Sequence, residues 1–476
     1  GKETFIDFRE RAPRAARADM FLDAAGNVVK DASTKTYKAV GVPGTVMGLE
    51  YARGKYGTRA RQALIAPSIA LARDGYIVDA GDSREYNAAI GDLAASVPAR
   101  RVFTHNGKPY LPGERLRQPD LAATLALISQ RGPHAFYQGS IAKEIVDASN
   151  ANGGLLTVQD FANYRIKEMP PVRCAYRGYS ISSAPPPSSG GITMCEILNI
   201  TQGFPLRSYG WNSAKSVHVT VEAERRAFAD RNTYLGDPAF VKNPVSELLS
   251  PSYAARLRAQ IQANRATAST DVHPGLGPLP EHLQTTHYSV VDRFGNAVAV
   301  TYTINDTFGS GLVAGNTGFL LNNEMDDFTS KPGVANLYGL VQGVRNAVAG
   351  GKRPLSSMSP SIVTKNGKLF MVAGSPGGSR ISTVTLAVLQ NVIDYGMNVQ
   401  DAVDAPRVHH QWLPDVVQIE LNAITPADMQ KLSAMGYTFK QYDRWGLAQA
   451  IVIDLKTGMR YGGSDSRRSS GEALGY

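Results

Sequence analysis

The chain has 476 residues, of which 43% are hydrophobic and 19% charged, proportions that exclude a fibrous or disordered protein and predict two domains or one thick multilayer domain. No apolar run approaches the ~20 residues of a membrane-spanning helix. The net charge of +9 is interleaved with acids, even around Arg225-Arg226, and favours a mildly basic solvated surface over nucleic-acid binding.

The start of the chain and its cysteines bear on the compartment. Residues 1–8 predict a strand and carry no charged-then-apolar signal segment, so we expect either a cytosolic protein or a missing upstream portion. The two cysteines, Cys174 and Cys195, are too few for a disulfide framework or a four-cysteine zinc site. One disulfide or two buried thiols are both possible, and the thiols are favoured.

The first third of the chain predicts short apolar strands alternating with helices. Helices are indicated at 63–73, at 119–131 and around 141–148, and each is followed by glycine. A strand-like run at 172–183 then leads into the Pro/Gly-rich loop 184–191. Prolines stiffen that loop and glycines allow close backbone approach, so a pocket wall and a rigid surface turn are equally compatible with it.

Two further helices and several hairpins complete the pattern. Helices are predicted at 192–200, at 213–231, where the second has an amphipathic face, and at 381–395. Asn366-Gly367 separates two strand-like runs and is typical of a type I′ hairpin turn. A last strand pair is predicted at 448–454 and 459–462. Helices followed by paired hairpins predict an α+β fold with stacked sheets.

One hairpin begins abruptly behind a Pro/Gly-rich segment. Residues 266–284 lack helical or strand periodicity and predict a mobile connector, whereas residues from Thr285 alternate as a strand, turn at 293–296 and return to Thr303. A threonine at the first residue of a buried strand is where a self-cleaving enzyme would keep its nucleophile. Thr286 should point to the other face of the strand and be structural.

Other chemistry has less support in the sequence. His409 and His410 are adjacent, so on a strand their rings face opposite ways, and core or capping roles are favoured over metal ligation. The loop at 374–379 lacks the Walker lysine and the dinucleotide fingerprint. Its successive glycines, between a strand and a helix, make it the best candidate for an oxyanion-binding loop.

The run QTTHYSVVD at 284–292, with its partner strand, closely resembles the start of the small subunit of γ-glutamyltranspeptidases, which are N-terminal-nucleophile hydrolases. The resemblance covers nearly the whole chain. It extends over residues 7–10, 41–48, 185–191, 308–311, 321–328, 352–360, 374–380 and 405–412.

The resemblance implies a four-layer αββα sandwich made from one self-cleaving precursor. Residues 1–284 would form the large subunit, lacking an upstream strand-helix portion, and residues 285–476 the small catalytic subunit. In the precursor, the Thr285 hydroxyl would attack the carbonyl of Gln284, and an N-to-O acyl shift and hydrolysis would free the Thr285 α-amine. With an unperturbed pKa near ~8, that amine can act as general base for its own hydroxyl.

The resemblance also assigns residues to a γ-glutamyl pocket. Thr303 would hold Thr285, and Gly377 and Gly378 would donate to the oxyanion. The α-ammonium would be bound by Asn305, Glu324 and Asp327, and the α-carboxylate by Arg9, Ser356 and Ser357. Residues 332–343, with Tyr338, resemble a lid over the pocket, and Arg407 and Arg467 would support processing or subunit packing.

The function so implied is that of a γ-glutamyltransferase and glutathione hydrolase, a heterodimer without cofactors that passes γ-glutamyl groups to water or to amino-acid or dipeptide acceptors. The family also implies a periplasmic or secreted location. A cephalosporin (glutaryl) acylase on the same scaffold is the first alternative, and Asp327 disfavours it, because that carboxylate would be buried without an ammonium partner. A non-catalytic homologue acting as a binding protein is the second.

Overall fold

The computed structural model describes residues 2–272, 285–467 and 471–475. The α-helices of these residues are α1 Thr45–Tyr56, α2 Arg61–Asp74, α3 Ala80–Ala88, α4 Ile90–Leu93, α5 Val97–Phe103, α6 Pro119–Arg131, α7 Pro133–Tyr137, α8 Ser140–Ala151, α9 Val158–Ala162, α10 Gly190–Thr201, α11 Leu206–Tyr209, α12 Ala214–Tyr234, α13 Val245–Leu248, α14 Pro251–Ala259, α15 Ile381–Ile393, α16 Val399–Asp404 and α17 Pro426–Ala434. The strands are β1 Phe5–Asp7, β2 Tyr76–Ile77, β3 Arg115–Leu116, β4 Lys167–Met169, β5 Val172–Tyr176, β6 Tyr179–Ser183, β7 Thr286–Val291, β8 Ala297–Tyr302, β9 Ser361–Lys365, β10 Lys368–Gly374, β11 Val408–His409, β12 Val417–Glu420, β13 Phe439–Tyr442, β14 Gln449–Ile453 and β15 Arg460–Ser464. Among the described residues, no helix is long and apolar enough to cross a bilayer.

The centre of the fold is a six-stranded sheet in the order β15-β14-β10-β9-β6-β5. All of its neighbouring strands are antiparallel. The predicted turn between β9 and β10 is confirmed, since Asn366 and Gly367 have φ values of 50° and 76°, the two positive φ values of a type I′ turn. The sheet unites strands from both sides of residue 285, because β6 pairs with β9.

Successive side chains of β10 point to opposite faces of the sheet, and both faces are covered. Met371 and Ala373 join the hydrophobic core formed with α10 and α15. Gly374 instead faces the imidazole of His287 on β7, and a Cβ atom there would lie 2.3 Å from that ring. Glycine is therefore required where the β7-β8 hairpin lies on the sheet. Helices, sheet and hairpin stack in layers, and the predicted α+β class is confirmed.

The first third is more helical than predicted. The helices expected at 63–73, 119–131 and 141–148 are confirmed as α2, α6 and α8. The alternating strands are not, because β1, β2 and β3 have only three, two and two residues. Apolar residues of α6, α7 and α8 instead form a shared hydrophobic core.

Helix α12 differs from the predicted amphipathic surface helix. Its predicted inward residues are buried, but the opposite face is buried too, since Arg225 and Arg226 are only 1% and 2% exposed. The expectation that this basic pair belongs to a solvated surface is wrong. Glu222 lies 2.7 Å from Arg226 and 3.4 Å from Arg225, so pairing within the helix neutralises charges that contacts with α10, α14 and α17 remove from water.

The favoured prediction of two free thiols is also wrong, because Cys174 and Cys195 form a disulfide. Cys174 lies on β5 and Cys195 on α10, which packs directly against that strand. Their Cα atoms are 5.7 Å apart, within the usual disulfide range. The contact depends on tertiary packing, which the spacing of the two residues in sequence does not reveal.

The predicted connector begins with residues that are packed against the rest of the protein. Ser269 is buried, donates its hydroxyl to the Trp412 carbonyl at 2.6 Å and donates its N–H to Asp415 at 2.6 Å. For residues 266–272 the prediction of a mobile segment is therefore wrong. Residues 273–284, including Gln284 and its bond to Thr285, lie outside the described part of the chain.

Candidate active site

Thr285 and Thr303 meet at the open end of the β7-β8 hairpin. The antiparallel register places Thr286 opposite Tyr302, so the residues just before β7 and just after β8 come together. The Thr285 hydroxyl donates to Thr303 Oγ1 over 3.5 Å, and Thr303 Oγ1 accepts from the Asn305 N–H at 2.8 Å. Thr286 is exposed, as expected for the opposite face of the strand. The geometry presents Thr285, and not Thr286, to the cavity beside it.

That cavity has an empty volume of about 290 Å³. It brings together most of the residues predicted for the γ-glutamyl pocket. Those that line it are Arg9, Thr285, Thr303, Asn305, Asp327, Tyr338, Ser356, Ser357 and Gly378. Two predicted residues do not line it: Glu324 lies fully buried behind Arg9, and Gly377 precedes Gly378 in the loop.

Arg9 is held between acidic side chains at one end of the cavity. Its guanidinium lies 2.5 Å from Glu324 and also pairs with Asp327, while Glu10 is 3.8 Å away. Burial raises the pKa of Glu324 well above its ordinary value and raises that of Asp327, against the lowering effect of Arg9. Burial also raises the pKa of Glu10 to about 7. This end of the cavity thus has more acids than cations, an arrangement suited to an added ammonium group.

Ser356 and Ser357 also line the cavity and are supported from behind by the Pro/Gly-rich loop. The Ser356 hydroxyl donates to Ser188 Oγ at 2.9 Å, and the Ser189 N–H and hydroxyl donate to the Ser356 carbonyl at 2.8 and 2.6 Å. Residues 184–191 are largely buried. The loop is therefore an inner support of the pocket wall and not a surface turn.

Tyr338 covers the cavity near the predicted oxyanion loop. Its hydroxyl donates to the Asn305 carbonyl at 2.8 Å, and its ring lies so close to Gly378 that a Cβ atom there would be 2.4 Å from it. Gly377 and Gly378 have φ values of 142° and 55°. Both conformations favour glycine, and the bare backbone at Gly378 borders the same cavity as Thr285.

Arg231, on α12, is a cavity residue that the sequence reasoning missed. It lines the cavity and donates to Ser357 Oγ at 3.2 Å and to Ser189 Oγ at 3.0 Å. Burial lowers the pKa of Arg231 to about 10, so it stays charged at neutral pH. An arginine on a helix pattern looks like a surface charge, and its distance in sequence from residues 356–357 leaves no local signal.

The other singled-out residues lie outside the cavity. His409 and His410 are fully buried; His409 contacts Thr383 at 2.8 Å and His410 contacts Asp415 at 3.2 Å, so the core interpretation is confirmed. Arg407 and Arg467 both pair with Asp465 and Glu420. These four residues, the C-terminal charge cluster, all belong to the part of the chain after residue 285.

Comparison with solved structures defines the class. The cephalosporin acylase from Bacillus halodurans superposes with a TM-score of 0.85 over 98% of this chain and 83% of its own, at 28% identity. With the layered α+β fold and a threonine directly before β7, the protein has the αββα fold of the N-terminal-nucleophile hydrolases.

Sequence comparison defines the family. A profile described as gamma-glutamyltranspeptidase matches residues 1–475. The glutathione hydrolase proenzyme of Pseudomonas sp. (strain A14) is 51% identical, covering 100% of this chain and 84% of the relative. That of Escherichia coli (strain K12) is 47% identical, covering 100% and 82%. The chain belongs to the γ-glutamyltranspeptidase family.

Proposed function

We propose that the protein is a γ-glutamyltransferase and glutathione hydrolase. One observation carries the proposal: a single cavity holds the Thr285 hydroxyl, an acid-rich end around Arg9 and Asp327, and a hydroxyl-bearing side at Ser356 and Ser357. A γ-glutamyl group has an ammonium and a carboxylate on one carbon, at a fixed distance from the amide to be cut. Family membership and relatives named glutathione hydrolase support the same substrate class.

The first step is self-cleavage before Thr285. Attack of the hydroxyl on the Gln284 carbonyl would break the C–N bond, which frees the α-amine of Thr285 and leaves an ester on its oxygen. Hydrolysis of that ester would then free the hydroxyl and the Gln284 carboxylate. The two halves would remain together as a heterodimer, because β6 and β9 pair within one sheet across the cut. The relatives' designation as proenzymes supports this processing.

The second step is acyl transfer. The Thr285 oxygen attacks the γ-carbonyl carbon while its proton passes to the α-amine, and the oxyanion is met by the backbone N–H groups of Gly377 and Gly378. The C–N bond then breaks and the amine leaves with that proton, which gives a γ-glutamyl ester on Thr285. Water or an acceptor amine then attacks the ester and gives a proton to the α-amine, which passes it to the threonine oxygen as the ester bond breaks.

Substrate recognition would draw on the charged and hydroxyl side chains in and behind the cavity wall. Asp327, Glu324 and Asn305 would bind the α-ammonium, while Arg9, Ser356 and Ser357 would bind the α-carboxylate. In the described structure Arg9 pairs with Asp327 and Glu324. The ammonium would therefore share these acids with Arg9 and favour their ionised forms.

Self-cleavage is tested by denaturing electrophoresis and N-terminal sequencing. We expect two bands, the smaller beginning at Thr285. Thr285→Ala should give one intact band, and the adjacent Thr286→Ala, which changes an exposed side chain, should be cut normally. An intact wild-type chain would contradict the processing step.

The second candidate function is glutaryl acylase activity, which the cephalosporin acylase similarity favours. Cleavage of a γ-glutamyl anilide and a glutaryl anilide, which lacks only the α-amino group, separates the two. We expect preference for the γ-glutamyl compound, because Asp327 lines the cavity and its charge needs a cation. Preference for the glutaryl compound would overturn the transferase proposal.

We also propose a periplasmic or secreted location. The Cys174–Cys195 disulfide supports it, since disulfides persist in oxidising compartments. Alkylation before and after reduction, on protein from separated cell fractions, tests this. We expect both thiols to be blocked until reduction in the extracytoplasmic fraction, and free thiols in a cytosolic protein would contradict it.

A further inference from the structure

Arg231 is a buried cation whose hydrogen-bond partners in the described part of the chain are all neutral. Its side chain is 1% exposed, and Nε donates to Ser189 Oγ, Nη2 to Ser357 Oγ and Nη1 to Asn232 and Gln342. No ion pair of the described residues includes it. A guanidinium removed from water without a carboxylate partner is costly.

Arg9, the other arginine of the cavity, is in the opposite condition. It touches Glu324 and Asp327, and Glu10 lies 3.8 Å away. Its charge is therefore already countered by neighbouring acids. The cavity arginine without a carboxylate in contact is Arg231, beside Ser357, and the charge of Asp327 at longer range favours its charged form.

The hydrogen bonds also fix the direction of the two serine hydroxyls. A guanidinium can only donate, so Ser357 Oγ must accept from Arg231 and its own proton points elsewhere. Ser356 instead donates to Ser188 Oγ, whose proton is directed to the Met358 carbonyl at 2.7 Å. Of the two hydroxyls, Ser357 is thus the one oriented to donate to an anion in the cavity.

We propose that Arg231 is a positioning residue that determines selectivity for substrates with an α-carboxylate, by orienting the Ser357 hydroxyl and supplying the positive charge behind it. The proposal rests on the γ-glutamyl function proposed above and assigns Arg231 a role in it. The ammonium would lie toward Asp327 and the carboxylate toward Ser357, along the field that the two charged residues set up.

The test compares a γ-glutamyl anilide with a 4-aminobutyryl anilide, which lacks only the α-carboxylate. For Arg231→Gln we expect kcat/KM on the γ-glutamyl compound to fall by about ten- to hundred-fold, mainly through KM, as for loss of a charge-assisted hydrogen bond. The 4-aminobutyryl compound, followed by cleavage or by its inhibition constant, should change by less than about twofold. Normal processing into two chains reports correct folding.

Two further variants separate positioning from packing. Arg231→Lys keeps the charge but not the planar fork, so its loss should be intermediate. In a Ser357→Ala background, Arg231→Gln should cost less than about threefold more, because both changes remove one interaction. Equal losses on both substrates, or additive losses in the double variant, would overturn the role of Arg231, whereas a wild-type preference for glutaryl anilide would overturn the proposed function instead.

Discussion

Two buried charge clusters in this protein differ in how their carboxylates are bound. In the C-terminal charge cluster, both oxygens of Asp465 accept from Arg407 or Arg467, and those of Glu420 accept from Arg467 and from backbone N–H groups. Two arginines balance two acids. The cluster is complete without any added molecule.

The second group, the cavity charge cluster, comprises Arg9, Glu10, Glu324 and Asp327. One arginine there faces three acids. Neither oxygen of Glu324 has a well-aligned hydrogen bond among the described residues, although Arg9 lies 2.5 Å away. The comparison teaches that the C-terminal charge cluster balances its charges and satisfies its carboxylates within the fold, whereas the cavity charge cluster keeps carboxylate oxygens available for the ammonium group that we propose.

The largest expected effect is on stability and concerns the C-terminal charge cluster. Asp465→Asn would leave Arg407 and Arg467 with one carboxylate, and breaking such a buried pair costs about 3–5 kcal/mol of unfolding free energy. Urea unfolding would measure this. The folded, processed fraction should keep the wild-type KM. A changed KM with an unchanged unfolding free energy would contradict the assignment of this cluster to stability.

The cavity charge cluster should respond in the opposite way. Asp327→Asn should lower kcat/KM on a γ-glutamyl anilide by about 2–3 kcal/mol, on the order of a hundred-fold, because the ammonium loses a charge-assisted contact. Unfolding free energy should change little, since Asp327 carries a raised pKa in the unliganded cavity. A variant that unfolds like Asp465→Asn would show that this acid serves the fold.

How much of this could be read from the sequence depends on the range of the contacts. The Asn366-Gly367 turn and the position of Thr285 directly before a strand depend on local sequence, and local patterns predicted both correctly. The family resemblance then identified most of the other residues that line the cavity with Thr285. The buried charge on α12 and the Cys174–Cys195 disulfide depend on which elements pack together. Neither helical periodicity nor cysteine spacing shows that packing.

Arg231 shows the same limit at the site itself. Its partners, Ser189, Gln342 and Ser357, lie 42, 111 and 126 residues away in sequence. No spacing rule joins such positions, and an isolated arginine on a helix is usually solvated. Only the packed structure distinguishes this buried cation from the surface charges that it resembles in the sequence.

The pH dependence of stability from Glu10 should be no larger than the effect expected at Asp327. Burial raises its pKa from the ordinary 4.5 to about 7 in the folded protein, so the folded state binds this proton more tightly than the unfolded state does. The resulting stabilisation is complete below pH ~4.5 and is lost as the pH rises through ~7. Glu10→Gln should therefore remove about 2–3 kcal/mol of the difference between unfolding free energies at pH 5 and pH 8.

Asp465→Asn, which changes an acid whose pKa is lowered in the folded protein, should leave that difference intact. If Glu10→Gln kept the full wild-type pH dependence, Glu10 would not be the carboxyl group that binds the extra proton in the folded protein. The contrast with the C-terminal charge cluster would then depend on Glu324 and Asp327 alone.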